Sequence, residues 1–141
     1  MRAAGEAEST FEARAHPLPD VLTADEIAKA RVIKIDVEGA EGAEGAAVRG
    51  LAPVLDQLRP DAEPAIEVTP QRMAELGHSA EELLETFTKR GFPMYRLAND
   101  YAAGSYPAAL RRGAQAPVRR RGPVTDESEL IFSRVDADVL L

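Results

Sequence analysis

The order of hydrophobic and polar positions along the chain predicts alternating strands and helices. Four short apolar runs predict β-strands at residues 31–36, 65–68, 92–97 and 130–133. Between the first two runs, apolar residues recur at helical spacing from Val48 to Leu58. The resulting order of strand, helix, strand, helix, strand, strand predicts an α/β domain.

Two local signals indicate where helices begin. Thr23 with Glu26, and Ser79 with Glu82, have the spacing of a capping box, which satisfies the free backbone N–H groups of the first helical turn. The second of these helices carries an apolar face and ends near Gly91, because glycine is the usual residue just after a helix.

Two segments lack such patterns. Residues 1–10 are small and charged, and we expect them to be disordered. Residues 98–126 are rich in Pro, Gly, Tyr and Arg and show no period, so we expect a long mobile loop. The arginines of that loop allow two interpretations, a lid over an anionic or sugar-like substrate or, as we favour, a mobile solvated loop with no role at a site.

Composition narrows the classes of function. The chain has 141 residues, a net charge of −7, no cysteine and two histidines far apart in sequence. The acidic balance argues against general binding to nucleic acid or to acidic membranes. No stretch approaches the roughly 20 apolar residues that cross a bilayer, and the first ten residues do not form a signal peptide, so we expect a cytoplasmic protein. We expect no metal site, because the usual thiolate and paired imidazole ligands are missing.

Carboxylates stand at the end of the first predicted strand. Asp36 and Glu38 lie there, and Glu41 follows shortly after. Ligands of open α/β sheets bind beyond the carboxyl ends of the strands, so these groups are candidates for acid–base chemistry. The alternative is that Asp36 or Glu38 caps the next helix. Glu67 lies inside the second predicted strand, where it either contacts substrate or pairs with an arginine, because an unpaired buried charge is costly.

One stretch carries a recognisable signature, Ile33-Lys34-Ile35-Asp36-Val37-Glu38-Gly39-Ala40-Glu41, followed by Val48-Arg49-Gly50-Leu51. Together with Ile66-Glu67-Val68, Gly91-Phe92 and Tyr95-Arg96-Leu97, it resembles the FkbM-type S-adenosylmethionine-dependent methyltransferases, whose fourth strand ends in I-D-V-E-G-A-E. The resemblance covers most of residues 20–135. A threefold Glu-Gly-Ala repeat at 38–46 adds about one helical turn to the family's pattern.

The resemblance implies a Rossmann-like class I methyltransferase sheet, of which the chain would hold the last four strands, with flanking helices and a terminal antiparallel pair. It implies S-adenosylmethionine as cofactor and O-methyl transfer to a small-molecule or sugar hydroxyl. In this interpretation the catalytic residues are Asp36, Glu38 and Glu67, and the substrate-binding residues are Glu41, Asn99 and Tyr101. No cofactor-binding residue is predicted.

The resemblance also predicts a partial domain. The family's cofactor site begins with a Gly-rich turn after its first strand and an acidic residue after its second, and nothing before Arg31 matches either. We therefore expect residues 1–141 to bind S-adenosylmethionine weakly or not at all by themselves. We also expect an open edge along residues 31–36, and association with a second copy or with a complementing N-terminal half. The alternative function is a non-catalytic fragment that acts as a binding or structural module.

Overall fold

A computed structural model of the protein describes residues 14, 16–36, 43–98, 103–113 and 115–135. It contains one mixed sheet of five strands: β1 (Val32–Ile35), β2 (Glu63–Val68), β3 (Met94–Arg96), β4 (Val118–Arg120) and β5 (Ser128–Phe132). Their order across the sheet is β1-β2-β5-β3-β4. β1 and β2 are parallel, whereas β5 runs antiparallel to both of its neighbours and β4 runs antiparallel to β3. The predicted α/β class is therefore confirmed.

Six α-helices connect or flank these strands: α1 (Leu18–Val21), α2 (Ala24–Lys29), α3 (Ala43–Leu51), α4 (Pro70–Glu75), α5 (Ala80–Thr88) and α6 (Tyr106–Arg112). A 3₁₀ segment, Ala52–Gln57, continues α3, and a shorter one, Ala103–Ser105, precedes α6. None of these helices is both long and apolar enough to cross a membrane.

Thr23 and Ser79 both cap the predicted helices, but only the capping box at Thr23 is complete. Thr23 and Glu26 form a reciprocal capping box at the start of α2. At the start of α5, the Ser79 side chain accepts a hydrogen bond from the Glu82 backbone N–H. Gly91 has a φ of +75°, which is the left-handed conformation that glycine adopts without strain just after a helix.

One face of the sheet packs against the helices and forms the core. Ile35 pairs in register with Ile66, and Ile66 pairs with Leu130, so that one row of aliphatic side chains crosses three strands. Phe132 of β5 stacks on Phe87 of α5 with ring centroids 4.2 Å apart. These five side chains are buried in a single hydrophobic cluster. The helical spacing seen in the sequence therefore serves to cover this face.

The opposite face carries polar side chains, because successive residues of a strand point to opposite sides. The pairing register of the strands places five polar residues on this face: Lys34, Glu67, Glu129, Tyr95 and Arg119. Tyr95 is 4% exposed, and its hydroxyl accepts a hydrogen bond from Arg119 Nη1 at 3.2 Å. The polar groups are thus spread over all five strands of the described sheet.

The segment 98–126 differs from the sequence prediction, which was wrong to expect no regular element there. It contains α6 and β4, and β4 extends the sheet by pairing Arg119 with Tyr95. Edge-strand pairing is a tertiary effect, so a strand composed of Val and two Arg leaves no hydrophobic period in the sequence. The mobility of the segment stays a prediction. Residues 1–10 lie outside the described ranges.

Candidate functional site

Four ionisable side chains meet at the end of the polar face where β1 and β2 finish. Lys34 is in β1, and Asp36 follows that strand directly. Glu67 of β2 lies opposite Glu129 of β5 in the antiparallel register. Asp36 comes just after Ile35, whose partner Ile66 precedes Glu67, so strand pairing brings the three carboxylates to one edge. We call Lys34, Asp36, Glu67 and Glu129 the carboxylate cluster.

Lys34 holds the cluster together. Its ammonium donates a hydrogen bond to Glu129 Oε1 and lies 3.7 Å from Asp36 Oδ2. Burial alone would lower the pKa of Lys34, but the hydrogen bond to Glu129 and the charges of Glu129, Asp36 and Glu67 raise it above its ordinary value. Lys34 therefore stays protonated at neutral pH and partly neutralises the three acids around it.

Glu67 is the buried acid of the cluster. Glu67 is only 8% exposed, and its Oε1 atom has no hydrogen-bond partner. Among the described residues no ion pair joins Glu67 to an arginine, and its role as a substrate contact stays a prediction. A buried carboxylate oxygen without a partner is costly, and native proteins keep few of them. Glu67 thus retains the capacity to accept a hydrogen bond or a proton.

Asp36 is the exposed acid of the cluster, with 54% of its side chain accessible. Its described contact is the ion pair with Lys34. The residues between Asp36 and Ala43, on which the helix-cap interpretation depends, lie outside the described ranges. The predicted site residues Glu38, Glu41, Asn99 and Tyr101 lie outside them as well.

Glu129 was missed by sequence reasoning. The sequence does contain a signal, because Glu129 and Ile131 alternate with Leu130 and Phe132 along β5. Leu130 and Phe132 are fully buried, so the intervening positions face the other side of the sheet. Alternation alone could not show that Glu129 lies opposite Glu67, since the antiparallel register depends on a pairing that is distant in sequence.

A largely apolar cavity of about 660 Å³ lies between β1, α1 and α3. Its walls include Leu18, Ile33, Ile35, Ala47 and Leu51, and Lys34 also lines it. Its volume falls within the range of about 300–1,000 Å³ that is usual for small-molecule sites. Asp36, Glu67 and Glu129 are not among its lining residues, so the cavity meets the cluster only at Lys34.

The carboxylate cluster is not a preformed metal site. In the ranges that the structure describes, no group of three or more His, Asp or Glu side chains is arranged to hold a metal ion. The chemistry that the described residues offer is proton acceptance, hydrogen bonding and attraction of a positive charge.

Comparison with known families gives a match to a methyltransferase domain. The model of the methyltransferase FkbM domain matches residues 2–94, which include Asp36, Glu67 and the elements from α1 to α5. No curated protein and no solved structure matches the chain. The matched range ends at Met94, so Tyr95-Arg96-Leu97, α6, β4 and Glu129 lie beyond it.

Proposed function

The chain belongs to the methyltransferase FkbM domain family, since the family model matches residues 2–94 of 141, and from that premise we propose that it transfers a methyl group from S-adenosylmethionine to a hydroxyl oxygen of a small molecule or sugar. Membership of the family supports methyl transfer in general. The chemistry of the carboxylate cluster supports the two finer parts of the proposal, S-adenosylmethionine as the methyl donor and a hydroxyl oxygen as the acceptor.

The described residues suit S-adenosylmethionine in chemical character. When bound, this cofactor supplies a methyl group from a positively charged sulfonium, and the carbon–sulfur bond breaks to leave a neutral thioether. Ile33 and Ile35 line an apolar cavity of about 660 Å³, which could accept an aromatic base. Asp36, next along the chain, is an exposed carboxylate that could contact the acceptor hydroxyl. The net negative charge of the cluster favours a cation nearby.

The carboxylates supply the proton chemistry. As the acceptor oxygen forms its bond to the methyl carbon, the hydroxyl must lose its proton, and a carboxylate within hydrogen-bond reach can take it. Glu67 suits this role because one of its oxygens has no partner. Lys34, fixed by Glu129 and Asp36, would hold the neighbouring charges in place during the transfer.

The observation that carries the proposal is the buried, partner-free Glu67 Oε1 beside Asp36 in a methyltransferase domain. The experiment follows transfer of an isotopically labelled methyl group from S-adenosylmethionine to a panel of sugars and small alcohols. We expect Glu67→Gln to lower the rate by about 10²–10⁴-fold, the usual contribution of a general base. We expect its thermal midpoint to stay the same or rise, because the change removes a buried charge.

Asp25→Asn is the matched control, because Asp25 is an exposed acid on α2, where it pairs with Lys29. It should leave transfer unchanged. Unaltered transfer by Glu67→Gln would contradict the role of Glu67. Labelling of nitrogen compounds but of no hydroxyl compound would contradict the proposed acceptor.

A second candidate function is a binding or structural module without catalysis. The position of β1 favours it, because β1 is the outer strand of the described sheet and Val32 is 62% exposed. Calorimetric titration with S-adenosylmethionine separates the two candidates when it is combined with the transfer assay. Absence of both binding and transfer, in a folded protein that has also been supplied with the N-terminal half of a family member, would favour the module.

A further inference from the structure

The most basic part of this acidic protein lies between β3 and β5. No Asp or Glu occurs from Tyr101 to Thr125, although the whole chain has a net charge of −7. The same stretch contains five arginines, Arg111, Arg112, Arg119, Arg120 and Arg121. We call residues 103–121 the arginine segment. All of it lies beyond residues 2–94, the range that matches the family.

The arginine segment also exposes large apolar side chains. Leu110 is 86% exposed, Val118 is 66% exposed and Tyr106 is 58% exposed. Helix α6, which carries Tyr106 and Leu110, contains no buried residue. Tyr106 and Leu110 are four residues apart and therefore share one face of the helix. Arg111 and Arg112 follow directly at its C-terminal end, where cations are favourable.

We propose that the arginine segment binds the surface of an anionic lipid bilayer. Leu110 enters the boundary between headgroups and acyl chains, and Tyr106 lies at the same level, where aromatic side chains with a polar end are enriched. Arg111 and Arg112 contact lipid phosphates, with their aliphatic stems along the apolar boundary. This places α6 in the membrane interface, without a membrane-spanning helix.

The combination of charge and exposed apolar area decides between possible partners. Nucleic acid would attract the arginines, but its phosphate backbone offers nothing to Leu110 and Val118. An anionic bilayer accepts both, because binding to it depends on buried apolar area together with attraction to charged headgroups. The acidic charge of the chain as a whole opposes membrane binding, but screening at physiological salt limits that opposition to about 8 Å. The arginine segment therefore acts locally.

Sedimentation with vesicles tests the proposal on the full chain. The probes are vesicles of phosphatidylcholine alone and of phosphatidylcholine mixed with phosphatidylglycerol. We expect binding to the mixed vesicles, weakening as salt is raised, and little binding to the neutral ones. Equal binding to both, or binding to neither, would overturn the proposal.

Two variants separate the charged from the apolar contribution. The double change Arg111→Gln with Arg112→Gln should lower the partition coefficient about 25-fold, because each cation near an anionic bilayer contributes about a fivefold factor. Leu110→Ser should lower it by about tenfold or more, because the apolar contact is lost. Neither change should alter the thermal midpoint, since α6 contains no buried residue.

The matched controls are Arg49→Gln with Arg72→Gln, which remove two exposed arginines from α3 and α4, and Val21→Ser, which removes an apolar side chain that is 60% exposed. They should bind mixed vesicles like the unaltered protein. An equal loss in variants and controls would show non-specific adsorption and overturn the proposal. Binding of duplex DNA as tight as that of mixed vesicles, and unaffected by Leu110→Ser, would overturn it in favour of a nucleic-acid site.

Discussion

Asp36 and Glu67 are neighbours in the carboxylate cluster, but their environments differ. Asp36 is exposed and pairs with Lys34, whereas Glu67 is buried and keeps one oxygen without a partner. Two carboxylates in unlike surroundings are a common arrangement where one group moves a proton and the other binds or orients a ligand. Their separate contributions can be measured by changing one charge at a time.

Asp36→Asn keeps the size of the side chain and removes its charge. If Asp36 contacts the reacting groups, methyl transfer should fall by about 10²–10⁴-fold, while stability should change by less than about 1 kcal/mol, because exposed ion pairs contribute little. Transfer assays and thermal unfolding on the same preparation check both expectations. A lower melting temperature with undiminished transfer would show that Asp36 has a structural role instead.

At the scale of single elements, local signals located the starts of α2 and α5 but did not reveal α6. The capping residues Thr23 and Ser79 lie at the starts of α2 and α5, because a cap is decided by residues within one turn of each other. The strands β4 and β5 depend instead on distant partners. Hence the sequence showed neither the strand formed by Val118–Arg120 nor the position of Glu129 opposite Glu67.

The cap of α5 offers a stability test of this kind of local signal. Ser79→Ala removes the oxygen that accepts the Glu82 backbone N–H, and should lower the free energy of unfolding by about 1 kcal/mol. Ser79→Gly should cost only a few tenths of that, because water can reach the freed N–H more easily. Chemical denaturation of both variants gives the comparison. Equal effects of the two changes would mean that the serine hydroxyl does not act as a cap.

An ion pair between Arg96 of β3 and Asp126, two residues before β5, predicts that the stability of the fold depends on pH. Arg96 donates hydrogen bonds to both carboxylate oxygens of Asp126, at 3.1 and 2.7 Å, and this contact lowers the pKa of Asp126 below its ordinary value. A lowered pKa in the folded state stabilises the fold above the ordinary aspartate pKa, and the contribution is lost as the pH falls through the lowered value.

Asp126→Asn should therefore lose less stability than the unaltered protein as the pH falls from neutral to below about 3.9. Denaturant unfolding at a series of pH values measures the difference, and added salt should reduce it because Asp126 is exposed. Parallel pH profiles for the two proteins would contradict a stabilising Arg96–Asp126 pair.

At the scale of the whole molecule, the described sheet has β1 as an outer strand. Val32 is 62% exposed there, and unpaired backbone groups along such an edge invite pairing with another chain. We expect the protein to self-associate as its concentration rises. Val32→Lys should reduce this association, because a charge on an edge strand disfavours pairing, whereas Val21→Lys on α1 should not. Sedimentation velocity at several concentrations measures the association of the unaltered protein and of both variants. An unaltered protein that stays a monomer at every concentration would contradict the prediction.

The position of β5 in the sheet has a consequence for how the protein is made. β5 lies between β2 and β3, yet it is the last of the five strands to leave the ribosome. Until Phe132 has been synthesised, β1 with β2 and β3 with β4 can form only two separate pairs, each with an unpaired inner edge. After Arg120 has been synthesised and before β5 follows, the nascent chain therefore holds two strand pairs with open inner edges, and a stop codon before Ser128 would yield a product that cannot join the two halves of this sheet.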